Sequence, residues 1–162
     1  MKSINKKQRG FSLIELIVGV IILGVMAAIA APAFQRMAAG SAVRSCTMDL
    51  VTALNTARAD AVNLRRGATM SATNTSSSGN EWGSGGWSLT YPGVAETKNF
   101  EPCENATATE AGGATTLSFD IQGRTPAALT FQVCHSQGVV AGRQIAVSRT
   151  GLLTNTEFNG CN

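Results

Sequence analysis

The sequence predicts an α+β fold in which one long N-terminal helix packs on an antiparallel β-sheet. Three observations predict it. An uncharged apolar stretch runs from Leu16 to Phe34. Beyond it, apolar residues recur at three- and four-residue steps as far as Leu64, which is typical of an amphipathic helix. The last third instead alternates apolar and polar residues in short runs, which is typical of half-buried strands.

A short basic head precedes the apolar stretch. It contains Lys2, Lys6, Lys7 and Arg9 and ends at Gly10. The stretch that follows is long enough to cross a bilayer, since a spanning helix needs about 20 residues. Basic flanks stay in the cytoplasm, so the sequence predicts a single span with the rest of the chain outside the cytoplasm.

Glu15 is a carboxylate just inside the start of this segment. A charged side chain deep in a membrane costs about 2.5–3.5 kcal/mol, so it needs a partner or a purpose. No Lys, Arg or His lies between Leu13 and Phe34. If the chain is cut between Gly10 and Phe11, the new amine of Phe11 lies about one helical turn from Glu15. Glu15 of one subunit is then expected to neutralise the Phe11 amine of the next.

Residues 10–16, Gly-Phe-Ser-Leu-Ile-Glu-Leu, resemble the class III signal of type IV pilins and pseudopilins. The resemblance implies cleavage after Gly10 by prepilin peptidase, N-methylation of Phe11 and guidance of filament assembly by Glu15. It implies other pilins or pseudopilins and the inner membrane as partners, and no cofactor. Pro32 lies where pilin helices often kink, and proline removes a helical hydrogen bond.

Two alternatives remain open for the same segment. One is an ordinary secretory signal peptide, with residues 28–30, Ala-Ile-Ala, as its cleavage site. The other is a plain membrane anchor in which Glu15 has no role. Both still place the rest of the chain outside the cytoplasm.

Charge and cysteine content restrict the function of the remaining chain. The net charge is +3, but four of the thirteen basic residues lie in the basic head, which leaves nine basic against ten acidic residues. No overall basic field therefore attracts nucleic acid. The four cysteines are far apart, which disfavours zinc sites and favours disulfides in an exported chain. Four cysteines allow three connectivities; they are Cys46, Cys103, Cys134 and Cys161.

Beyond the apolar stretch, the helix is predicted to continue to about Arg66. Its apolar face comprises Val43, Cys46, Leu50, Leu54, Ala57, Ala61 and Leu64, and Arg44, Arg58 and Arg65 are expected to face solvent. Residues 73–86 are predicted to form a loop, 87–91 a strand and 94–115 a polar connection. Three more strands are predicted from alternating apolar residues; these are Leu117, Phe119 and Ile121, then Leu129, Phe131 and Val133, then Ile145 and Val147.

The downstream half is similar to the type II secretion protein H and minor pilin T/U group (GspH/FimT). The similar stretches are residues 57–61, 86–87, 119–123, 142–147 and 150–151. In pilin-like proteins a disulfide often ties the C-terminal tail to a preceding strand. The resemblance therefore favours the pairs Cys46–Cys103 and Cys134–Cys161.

The sequence contains no recognisable catalytic motif, so the protein is not expected to be an enzyme. Nucleic-acid binding is a secondary possibility, in which arginines contact phosphates and a tryptophan stacks on a base. Its candidates are Arg124, Arg143 and Arg149, with Trp82 or Trp87. Some minor pilins of the group bind DNA through Gly-Arg-x-Arg, but the corresponding residues 151–154, Gly-Leu-Leu-Thr, lack both arginines.

The sequence as a whole predicts four segments. They are a leader (1–10), a transmembrane and assembly helix (11–34), an amphipathic half of the helix (35–66) and a periplasmic β-sheet domain (67–162). The predicted function is that of a structural minor pilin or pseudopilin of a type IV pilus or type II secretion pseudopilus. A DNA-binding minor pilin for natural transformation is the alternative.

Overall fold

The computed structural model of the chain describes residues 12–73 and 81–161. The predicted cleavage site between Gly10 and Phe11 lies outside the described residues. The described chain forms one helix and eight strands. Helix α1 spans Leu13–Asn63, and the strands are β1 (Ala68–Ala72), β2 (Trp87–Thr90), β3 (Lys98–Phe100), β4 (Ala106–Glu110), β5 (Thr116–Phe119), β6 (Leu129–His135), β7 (Gly142–Val147) and β8 (Leu153–Phe158).

The strands form two antiparallel sheets, so the α+β class is confirmed but the prediction of one sheet is wrong. The first sheet has the order β3-β2-β1-β5 and the second has the order β4-β6-β7-β8. The chain divides into two compact units between Gln35 and Arg36. The second unit, called the α+β domain below, contains both sheets and the part of α1 that follows Arg36.

Within the α+β domain, α1 buries one stripe of small and apolar residues. The stripe includes the predicted Val43, Leu50 and Leu54, which are at most 3% exposed. Leu64 was also predicted to lie on it but is 52% exposed. The reason is that α1 ends at Asn63, three residues earlier than predicted. The chain leaves the helix through Arg65, which has a φ of 48°.

Four strands were not predicted: β1, β3, β4 and β8. They consist mainly of small, polar and charged residues, so their hydrophobic alternation is weak, although β1 and β4 alternate clearly in burial. The predicted strand at Ile121 is too long, because β5 ends at Phe119. Asp120 closes a turn there by accepting hydrogen bonds from the backbone N–H groups of Gln122 and Arg124. Ile121 lies in this turn and is 56% exposed.

The core lies where the stripe of α1 meets both sheets, and Trp82 is its largest unpredicted member. Trp82 is fully buried and packs edge-to-face on Phe131, with ring centroids 5.0 Å apart. Its indole Nε1 donates to the carbonyl of Ala114 at 2.9 Å, and its backbone N–H donates to Ala108. The residue is therefore held both by packing and by hydrogen bonds, although its neighbours in sequence are typical of a loop.

Two disulfides close the α+β domain. The structure joins Cys46 of α1 to Cys103 and Cys134 of β6 to Cys161, and no cysteine is free among the described residues. The prediction of disulfide bonding is therefore confirmed. The second bond ties the segment after β8 to β6, beside Gly142. A side chain at Gly142 would collide with the Cys161 sulfur, so this position requires glycine.

Two charged residues of α1 connect the helix to loops. Arg58 was predicted to face solvent but is half-buried, and it donates to the carbonyls of Gly123 and Thr150 at 3.2 and 3.4 Å. Asp60 accepts a hydrogen bond from the hydroxyl of Tyr91 and pairs with Lys98 at 2.9 Å. Arg58 and Asp60 are the polar residues of the stretch 57–61. They connect the end of α1 to the loops that follow β2, β5 and β7 and to strand β3.

The pKa values of this cluster follow from its contacts. The hydroxyl of Tyr91 and then the ammonium of Lys98 lower the pKa of Asp60 below its usual 3.8, against the opposing effect of burial. Burial, and then the hydrogen bond to Asp60, raises the pKa of Tyr91. The contacts among Asp60, Tyr91 and Lys98 are therefore strongest when Asp60 is ionised and Tyr91 is protonated.

We expect Asp60→Asn to lower the free energy of unfolding at neutral pH by about 1 kcal/mol, because a charge-assisted hydrogen bond and a partly screened ion pair are lost. A carboxyl whose pKa is lowered in the folded state stabilises the fold above its unfolded pKa. This contribution disappears as the pH falls through the lower, folded pKa. Thermal unfolding should therefore separate the two proteins at about pH 6 and bring them together near about pH 2. A difference that does not change with pH would contradict this account.

We expect Trp82→Ala to lower the free energy of unfolding by about 3–5 kcal/mol, because it leaves a large cavity in the core. It also leaves the carbonyl of Ala114 without its indole donor. Denaturant unfolding measures the change, and the exposed Ser84→Ala, two residues away, is the control. A loss below about 1 kcal/mol would show that Trp82 is peripheral.

Candidate functional site: the apolar helix segment and the domain surface

The first unit of the structure is an apolar helix segment with uncovered side chains. Its large apolar residues are 44–77% exposed, from Leu13 at 77% to Phe34 at 67%. An 18-residue window of α1 reaches a mean hydropathy of 2.8, and none of that window is buried. Among the described residues, α1 is the helix that is long and apolar enough to span a membrane. Exposed apolar surface of this extent indicates contact with lipid or with other proteins.

Glu15 is the one charged residue of this segment before Arg36. Its side chain is exposed, and Oε2 accepts a hydrogen bond from the backbone N–H of Ser12 at 3.4 Å. A carboxylate in the first turn is favourable at the positive end of the helix dipole. Within the described residues of the segment no cation lies beside it. The hydrogen bond from Ser12 is thus the contact of Glu15 in the described part of the chain.

Pro32 lies inside α1, which continues through it. Since proline has no N–H, the carbonyl four residues earlier loses its usual helical partner. Gly19 and Gly24 have open space where a side chain would be, so another helix could approach closely at these positions. A kink at Pro32 remains a prediction.

The three arginines proposed for DNA contact do not form one surface. Arg124 and Arg149 line the same cavity of about 470 Å³, where Arg124 is paired with Asp120 at 3.0 Å. The backbone N–H of Arg124 is the main cause that lowers the pKa of Asp120. Arg143 lies in a different groove and donates to the side chain of Asn155 at 3.0 Å.

The tryptophans cannot stack on a base. Trp82 and Trp87 are both fully buried, and Trp87 stacks on Phe100 within the domain. Neither ring is therefore accessible for the stacking contact that nucleic-acid binding would require. Together with the separation of the arginines, this leaves no specific structural support for DNA binding in the described part of the chain.

The acidic and histidine side chains of the described residues do not form a metal site. Residues 12–73 and 81–161 contain no group of three or more metal-ligating side chains. The buried carboxylate of Glu110 accepts backbone hydrogen bonds from Gly112, Ala114 and Thr130, so it organises the turn after β4. His135 accepts a hydrogen bond from the backbone of Gln137. Both residues have structural roles.

Two family profiles match the chain. The profile described as the prokaryotic N-terminal methylation motif matches residues 5–31. The profile described as type II transport protein GspH matches residues 47–151, which is more than half of the chain. No curated protein matches the chain.

The fold is similar to that of a solved minor pilin. Two crystal forms of the type IV minor pilin FimU from Pseudomonas aeruginosa match with TM-scores of 0.58 and 0.56 and 22% identity. The match covers 74% of this chain and 99% of FimU in one form, and 79% and 98% in the other. The pilin-like fold and the two profiles agree: the chain belongs to the GspH family of minor pilins and pseudopilins and carries an N-terminal methylation motif.

Proposed function

We propose that the protein is a structural minor subunit of a type IV pilus or a type II secretion pseudopilus. The observation that carries the proposal is the combination of a methylation motif over residues 5–31 with a GspH domain over 47–151. The uncovered apolar surface of α1 supports it, because that surface needs lipid before assembly and other subunits after it. The proposed role is assembly and not catalysis.

The proposed processing follows from the motif. Prepilin peptidase would cut between Gly10 and Phe11, and the new amine of Phe11 would be methylated. A methylated amine remains a cation, so it retains its attraction for a carboxylate. Glu15 of one subunit would then pair with the Phe11 amine of its neighbour inside a nonpolar helix bundle, where such a pair is strong because water is excluded.

The proposed topology is a single pass through the inner membrane. The basic residues of the leader would stay in the cytoplasm, and the α+β domain would lie in the periplasm. Two disulfides in this domain support an oxidising compartment. The proposed segments are the leader (1–10), the transmembrane and assembly helix (11–34), the amphipathic half of the helix (35–66) and the β-sheet domain (67–162).

The first test of this proposal is the intact mass and N-terminal residue of the protein from its own membranes. We expect a chain that begins with methylated Phe11 and is lighter than the reduced form by four hydrogen atoms, two for each disulfide. Loss of the prepilin peptidase should leave Met1 or the intact leader in place. A mature chain that begins near Ala31 would contradict the proposal and support a cleaved secretory signal.

The second test concerns Glu15. We expect Glu15→Gln to leave processing and membrane insertion unchanged, because an uncharged side chain is easier to insert. Assembly into filaments should fall by at least about tenfold, since one buried charge pair is lost. The matched control is Ser12→Ala, which lies in the same turn and keeps the carboxylate. Normal incorporation of the Gln variant would refute the pairing of Glu15 with Phe11.

A further inference from the structure

The α+β domain has two grooves, one on each flank of the helix stretch 38–49. The first, called the basic groove, has a volume of about 310 Å³ and contains Arg44 and Arg143, with Glu157 as its one acidic residue. The second, called the acidic groove, has a volume of about 500 Å³ and contains Asp49, Glu101 and Glu104 and no basic residue.

The two grooves lie at the same height on nearly opposite sides of α1. The helix contributes residues 40, 43, 44, 47 and 48 to the basic groove and 38, 41, 42, 45, 46 and 49 to the acidic groove. At 3.6 residues per turn, these two sets point about 160° apart around the axis. The helix therefore forms a ridge with a net positive flank and a negative flank.

The acidic flank is held rigidly. Cys103 bonds to Cys46 of α1, and its backbone N–H donates to Gly83 at 2.9 Å. Asn105 accepts a backbone hydrogen bond from Ser136. The segment with Glu101 and Glu104 is thus fixed beside the helix before any partner arrives. A preorganised segment loses little conformational entropy on binding.

We propose that a second copy of this chain docks side by side with the first, with its acidic segment 101–105 in the basic groove. The inference rests on the proposed function, because anchoring in one membrane gives all copies the same polarity. A two-fold contact at either groove would place that groove against its own copy, and like charges would then face each other. The copies can instead meet flank to flank, and a contact between two different surfaces repeats in an open helical array.

Charge complementarity selects this contact. Glu101 and Glu104 are exposed, as is Arg44, while Arg143 is half-buried by its hydrogen bond to Asn155. Opposite charges across such a contact mainly guide association and fix the register, while like charges opposed there cost several kcal/mol. The apolar members of the basic groove, Val43 and Met48, would be covered when the second copy docks.

The experiment is a charge swap on the full mature chain in detergent micelles. Variant one is Arg44→Glu with Arg143→Glu, and variant two is Glu101→Lys with Glu104→Lys. Sedimentation velocity at about 50 and about 500 mM salt measures the dimer fraction, since surface electrostatics weaken at high salt. Arg65→Glu with Arg66→Glu is the matched control for variant one, because it changes the net charge by the same amount and sign at exposed sites outside the grooves.

We expect each swap to weaken self-association at low salt by at least about tenfold and the control to leave it unchanged. A mixture of the two swapped variants should recover dimers, because the acidic surfaces of one then face the basic surfaces of the other. Wild-type chains that stay monomeric, swaps equal to the control, or a mixture without recovery would each overturn the proposal. Correct processing and Glu15-dependent assembly alongside such a result would leave the proposed function standing.

Discussion

The α+β domain depends on the burial of one stripe of α1. Ala53, Leu54, Ala57 and Ala61 are completely buried there, and both sheets contribute to the core that covers them. Three of these four residues are alanines, which lose no side-chain conformational entropy on burial. Polar contacts are added at the end of the stripe, where Arg58 and Asp60 bond to residues far away in sequence. The helix therefore organises the domain through packing first and through polar contacts at its end.

The surface of α1 changes in character at Arg36. Before it, apolar residues occur all round the helix, and none of the hydropathy window is buried within the chain. After it, one face is buried and the others carry charges. This change is the reason that a single element can belong both to a membrane or filament bundle and to a folded domain. A single carboxylate such as Glu15 is therefore unusual in the apolar part of α1, whereas charged residues are common on the exposed faces of its second part.

Sequence patterns predicted the features that depend on local periodicity. The apolar stretch, the stripe of α1 and the alternation of Leu129, Phe131 and Val133 were readable because each repeats with the period of its element. The strands β1, β3, β4 and β8 were not readable. In β1 and β4 small and polar residues alternate without a strong hydrophobic signal, β3 has only three residues, and β8 is mostly polar and exposed. Trp82 was placed in a loop because the residues before it are polar. Its burial depends on Phe131, which is 49 positions later in the chain.

The surface properties were the hardest to predict because they depend on tertiary approach. Arg44 and Arg143 share a groove although almost one hundred residues separate them, whereas Arg124 and Arg149 share a different one. A list of arginines in the sequence cannot distinguish these groupings. The distribution of charge in the folded domain distinguishes them, and it does not favour a single phosphate-binding face. It points instead to flanks of opposite sign on one helix, an arrangement that favours ordered lateral contacts between subunits of equal polarity.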